Sequence, residues 1–171
     1  MNRHLERLQK EIAKGMAGLA GEQWSWHPPG KWCAQEILEH LYLTYTGTIK
    51  GFERVLQAGE PRITAATWKQ RGSRIVVLGF SYLPSGREAP SFSRPRGLPA
   101  EKVRSEIVAK IGEMHDMIAL CEQKFGAGRE LLDHPILGPL TAAQWMKFHL
   151  VHGRHHVKQI ERLRREMPAR A

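Results

Sequence analysis

HGRHHVKQIERL, residues 152–163, is the stretch whose reading decides the fold. Its apolar residues recur at helical spacing, and His152 and His156 stand four apart, which stacks them on one helical face. At about 100° per residue, the stretch extends backward into a single stripe of Trp145, His149, His152, His156, Ile160 and Leu163. Trp145, Ile160 and Leu163 mark that stripe as facing a core. Its middle is therefore filled by imidazoles, whose nitrogens need partners once buried. One metal ion shared between His152 and His156 would meet that need, with a third ligand supplied from elsewhere. His155 points about 100° away from His156 and belongs to the rim or surface.

The stripe lies in a helix expected over 141–167, started by a Thr141–Gln144 capping box and followed by Pro168. Three other stretches carry the same period. Residues 2–20 place Leu5, Leu8, Ile12, Met16 and Leu19 on one face. Residues 34–58 run from Ile37 to Leu56 and stop before Gly59 and Pro61, with Cys33 and Glu36 resembling a capping box in which sulfur replaces the hydroxyl. Residues 99–126 place Val103, Ile107, Ile111, Met114 and Ile118 on one face and begin at Pro99, a residue tolerated at a helix start. Between these, 21–33 is a Trp- and Pro-rich connection, its Trp24, Trp26 and Trp32 expected to cover the end of the helices, and 127–140 reads as a loop. Residues 59–98 form a long, Pro-rich, arginine-rich crossover. Its run IVVLGFSYL (75–83) is strand-like in composition but short and isolated. The crossover could be a lid, a dimer contact or a segment packed along the outside. The expected architecture is one all-α domain over 1–171, a four-helix bundle with a long crossover between helices 2 and 3.

Composition narrows the function. The chain has 171 residues, 42% hydrophobic and 25% charged, ordinary for a globular domain. No run approaches the ~20 apolar residues of a membrane span. The start, MNRHLERLQKEIAKG, lacks the apolar centre of a signal peptide. Two cysteines, Cys33 and Cys121, far apart and in no CxxC spacing, argue against a disulfide scaffold or thiolate cluster and fit a cytoplasmic protein. The formal charge of +9 invites a nucleic-acid reading. The basic residues are nevertheless scattered, densest at 62–74, 87–96 and 162–170, with no regular interleaving of aromatics. That argues for a basic solvated surface over a nucleic-acid platform.

The best third ligand is His40 in EILEHL, one turn after Ile37 and one before Thr44, and so facing inward. Three neutral histidines suit a divalent transition metal, zinc or nickel first and iron or copper next, and leave a position open for water or a small-molecule substrate. His149 lies on the correct face a turn deeper, as packing or an outer partner. Gln159 follows His156 by nearly one turn and could hydrogen-bond near the site. Glu36 and Glu39 flank His40 and could orient a ligand nitrogen, although capping and solvation are their ordinary roles. His27, among prolines, has no fixed helical geometry and is left out.

Three stretches, GKWCAQEILEHL (30–41), HPILGPLTAAQW (134–145) and HLVHGRHHVKQI (149–160), resemble the DinB superfamily of DinB/YfiT-like metalloenzymes, in the family's order and over nearly the whole chain. The resemblance implies a bundle with a long crossover between helices 2 and 3. It also implies a divalent metal held by one histidine of helix 2 and two of helix 4, which fall here on His40, His152 and His156. It further implies a homodimer, and an activity like that of relatives that transfer low-molecular-weight thiols or use them in isomerisation. Cys33 departs from the Ser or Thr common in the family at that position. The expected function is thus a metal-dependent enzyme activating a thiol or water, thiol-S-transferase-like or hydrolase-like. The alternatives are a non-catalytic dimeric helical protein with a structural or vestigial metal, and a basic nucleic-acid-associated protein.

Overall fold

The structure is a computed structural model and describes residues 1–84 and 88–168. The chain is mostly helical. Four long helices carry it: α1 (Arg3–Met16), α2 (Ala34–Ala58), α4 (Ala100–Phe125) and α5 (Ala142–Glu166), with a short α3 (Trp68–Arg74) inside the crossover. α1 packs mainly on α5 and α2 mainly on α4. Contacts of α2 with α5 and of α1 with α4 join the two pairs. The predicted faces meet in one core, where Leu5, Leu8, Ile12, Leu38, Leu41, Tyr45, Phe52, Ile107, Ile111, Met114 and Ile118 are almost fully buried. Among the described residues no helix is long and apolar enough to cross a membrane.

Helix ends follow local chemistry. The Glu36 carboxylate accepts the Cys33 N–H at 2.8 Å, and Gly59 ends α2 in the left-handed conformation (φ 75°). Thr141 Oγ1 accepts the Gln144 N–H at 3.3 Å, while Gln144 Oε1 accepts the Thr141 N–H at 3.0 Å. α1 stops at Met16, short of residue 20, because the chain turns at Gly18 (φ 73°).

Two regions differ from the sequence reading. Residues expected as a loop before α5 form an antiparallel hairpin, β1 (Glu130–His134) with β2 (Gly138–Thr141), in which Leu132 faces Leu140 and His134 faces Gly138. His134 closes its turn: Nδ1 accepts the N–H groups of Ile136 (3.1 Å) and Leu137 (3.2 Å). The hairpin lies over α2 at Gly51, where a Cβ would stand 2.7 Å from Leu132 Cδ2. Within the crossover, α3 continues into a π-helical turn, Ile75–Gly79, so the first five residues of the strand-like run are wound rather than extended. Arg74 ties it to the hairpin through Leu137 O (3.3 Å) and Glu130 Oε1 (3.0 Å). The basic groups at 87–96 and 162–170 each reach outside the described residues.

Candidate metal centre

The α2 and α5 faces bring three imidazoles together. His40, His152 and His156 are buried, 4%, 8% and 7% exposed, and each offers a nitrogen to a cluster whose members all lie within 4.8 Å of one another. His152 Nε2 stands 3.2 Å from His40 Nε2 and 3.1 Å from His156 Nε2. The remaining nitrogens show why the Nε2 atoms converge. His40 Nδ1 lies 2.8 Å from Ser93 O. A carbonyl only accepts, so Nδ1 carries the proton and His40 Nε2 is a bare lone pair. His156 Nδ1 lies 2.7 Å from Gln159 Oε1, while Gln159 Nε2 lies 3.1 Å from His155 Nε2. That places the His156 proton on Nδ1 and leaves its Nε2 bare as well.

The two bare lone pairs face His152 Nε2 from opposite residues. One proton there can be shared between them, whereas a cation would take all three nitrogens at once. The separations of 3.1 and 3.2 Å are shorter than twice the roughly 2.0–2.1 Å of a zinc–nitrogen bond. One ion can therefore touch both members of each pair. His152 Nδ1, fully buried, has no hydrogen-bond partner among the described residues, and the His152 ring stacks on Phe148 (centroids 5.3 Å, 11°). The donor set, three uncharged nitrogens with two of their protons already turned outward, fits a divalent transition metal.

Burial keeps the cluster neutral. Desolvation lowers the pKa of all three. At His40 the Ser93 carbonyl partly offsets it. His152 falls well below its ordinary value, with His156 and His40 adding repulsion. His156 is pushed down to about 3 by burial and then by His40, against the Gln159 hydrogen bond. The lone pairs are thus available at neutral pH without the cost of removing a proton.

The other residues singled out in the sequence divide. Gln159 touches His156 directly. His149 is fully buried one turn along α5, its Nε2 3.2 Å from Thr48 Oγ1, and it stacks on Trp145 rather than joining the three. Glu36 spends its carboxylate on the start of α2. His155 is partly buried beside Gln159, and among the described residues His27 is hydrogen-bonded only to its neighbour Pro28. Trp32 lies on the His40 ring (centroids 5.2 Å), whereas Trp24 lies under the Arg104 guanidinium (4.0 Å). Sequence reasoning missed Ser93, His134 and the true place of Glu39. That carboxylate is not solvated: Glu39 is 2% exposed and accepts three backbone N–H groups, those of Arg96, Gly97 and Leu98.

The three histidines sit on the wall of a cleft of about 1810 Å3, bordered by Trp32, Phe92, Phe148, Leu137, Gln159 and Arg162. Neither cysteine supplies a thiolate there. Burial raises the Cys33 pKa and takes that of Cys121 to about 11, and Cys121 Sγ is directed to Phe52 O at 3.6 Å.

Comparison with known proteins supplies the family. No curated protein and no solved structure matches the chain. The sequence profile of the DinB superfamily, however, matches residues 4–160, and with nearly the whole helical fold inside that match, the chain belongs to the DinB superfamily.

Proposed function

We propose that this protein holds a divalent transition metal, zinc or nickel first, on His40, His152 and His156, and uses it to activate a thiol or a water molecule against a small-molecule substrate. One observation carries the reading: three Nε2 atoms converge on the wall of a large cleft, two of them kept bare by acceptors on their opposite nitrogens. A divalent ion bound there would supply Lewis acidity, lowering the pKa of whatever thiol or water it binds.

The chain's own residues supply the rest. Ser93 O and Gln159 Oε1 fix the rings of His40 and His156, and the Phe148 face fixes that of His152. Three protein ligands leave at least one position open, the arrangement of catalytic rather than closed structural sites. Trp32, Phe92 and Phe148 give the cleft an apolar lining able to take the carbon skeleton of a substrate and exclude water from it. With Cys33 and Cys121 buried and their thiols raised, a reacting thiol would come from a small molecule entering the cleft, giving thiol-S-transfer, whereas a bound water would give hydrolysis.

Elemental analysis of protein purified without a polyhistidine tag tests the metal, with near one equivalent per chain expected. Folded protein that neither contains metal nor binds added zinc or nickel overturns the reading. A screen of low-molecular-weight thiols against a panel of electrophiles then tests the chemistry, and the metal-loaded protein should consume thiol where the stripped protein does not.

A further inference from the structure

The His40 ring owes its orientation to a backbone carbonyl 53 positions away, Ser93 O. That carbonyl belongs to the last part of the crossover, residues 90–98, which crosses the start of α2 before α4 begins. The segment has little regular structure of its own. Ser91–Ser93 is a single 3-10 turn, in which Ser93 donates its N–H (3.0 Å) and its hydroxyl (3.2 Å) to Pro90 O. Its attachment to α2 lies in Glu39, the residue before His40. Oε1 accepts the N–H of Arg96 at 2.7 Å and of Leu98 at 3.1 Å, and Oε2 accepts that of Gly97 at 3.2 Å. A carboxylate 2% exposed is costly to bury unless its oxygens are satisfied, and three charge-assisted bonds satisfy it. Its charge also lies where the chain enters α4 at Ala100, the favourable end of that helix's dipole.

We propose that Glu39 is a positioning residue for the metal centre: through the amides of residues 96–98 it holds the strap that carries Ser93 O to His40 Nδ1. Two consecutive residues of α2 thereby divide one task, His40 offering Nε2 to the cluster and Glu39 anchoring the chain that fixes the proton on Nδ1. The inference rests on the metal-binding reading for its functional meaning, while its structural content, the fixed His40 tautomer, is measurable without metal.

The test compares wild-type protein with Glu39→Gln, which keeps the shape and removes the charge and one acceptor oxygen. Metal-free protein is read by amide hydrogen exchange at Arg96, Gly97 and Leu98 and by the side-chain 15N shifts of His40. Exchange at those amides should quicken about tenfold to a hundredfold, and His40 Nδ1 should lose the signature of a fixed proton and report a mixture of tautomers. Zinc affinity should then fall about 10–100-fold. A His40 signature unchanged in Glu39→Gln overturns the proposal, whether or not the amides exchange faster, since Glu39 would then hold a loop and nothing more.

Where Glu39→Gln does not fold, Gly97→Ala decides. Gly97 has φ 82°, and a Cβ there would meet nothing within 4 Å, so alanine strains the strap without touching the core or the site. The same loss of the His40 tautomer is expected, and its persistence is equally fatal. Wild-type protein that binds no zinc would instead defeat the metal reading, an outcome separate from the exchange and tautomer results.

Discussion

His40 Nε2 and His152 Nε2 lie 3.2 Å apart, on residues 112 positions apart in sequence, and the proton that could sit between them has a competitor in His156 Nε2 at 3.1 Å from the same atom. Two bare nitrogens turned toward a third is an arrangement that a cation relieves. Stabilisation by mass action follows if zinc or nickel binds only the folded state: about 2.7 kcal/mol at a hundredfold excess over Kd. Wild-type protein should therefore melt at a higher temperature with added metal. Single His40→Ala, His152→Ala and His156→Ala variants should show no such shift. A metal-dependent rise that survives any one of these replacements would place the ion elsewhere.

Acid should destabilise the metal-free protein once the pH falls below about 6.5. Burial lowers the pKa of His134 to about 4 and that of His149 to about 3, the latter with repulsion from His134, against an ordinary value of 6.5. A base whose folded pKa is depressed contributes stability that is fully present above its unfolded pKa. As pH falls through 6.5 the unfolded chain takes up protons the folded chain refuses, so stability drops by about 1.4 kcal/mol per pH unit for each such histidine. The loss continues until the folded pKa is reached. Urea denaturation between pH 7 and 5 measures it. His134→Asn should lessen the slope, because an amide oxygen can still accept from Ile136 and Leu137 but does not titrate. An unchanged slope in that variant would remove His134 from the account.

Much of the fold is written in short-range periodicity. The stripe from Trp145 to Leu163, and the matching face of residues 34–58, depend only on residues three and four apart, and each member of that stripe is buried. That is why His40, His152 and His156 could be singled out together. The parts that stayed hidden depend on distant partners. Ser93 meets His40 across 53 positions, and Glu39 meets its amides across 57 to 59. No local pattern records either contact, so Glu39 reads as a carboxylate beside His40 that could orient a ligand nitrogen but ordinarily caps or is solvated, with no sign of the amides it holds. The hairpin was obscured differently: β1 and β2 have five and four residues, too few for alternation to stand out, and Pro139 argues against a strand. A signal did exist in HPILG, where Gly138 takes a positive φ (71°) that completes the turn His134 closes.

Close approach of α1 to α5 depends on Gly153. A Cβ there would collide with Leu8 Cδ1 and stand 3.4 Å from Tyr45 Oη. Leu8 and Tyr45 are both fully buried, so neither can move aside freely. Gly153→Ala should cost about 1–3 kcal/mol through overpacking. Gly112, on α4, is the control: its Cβ would meet only the ends of Gln9 and Met1 at 3.9 Å. Gly112→Ala should be neutral or stabilising by about 0.5–1 kcal/mol, from backbone entropy alone. Chemical denaturation of the pair gives the comparison, and equal effects would show that helix spacing at residue 153 is looser than the structure has it.

Trp32 makes the site visible to fluorescence. Its ring centroid is 5.2 Å from that of His40, whereas Trp24 is engaged with Arg104 and Trp145 packs against His149 and Phe52. A paramagnetic ion on the three histidines would lie close enough to Trp32 to quench it strongly. Titration with nickel or copper should therefore dim the emission in proportion to site occupancy and saturate near one equivalent. Trp32→Phe keeps an aromatic face against His40, so it should leave the affinity near that of the wild type while removing a disproportionate share of the quench. His152→Ala should abolish the saturating phase and leave only weak, unsaturable dimming from surface sites. Should Trp32→Phe retain the full quench, the ion is bound nearer another tryptophan, and the cluster of His40, His152 and His156 is not where it sits.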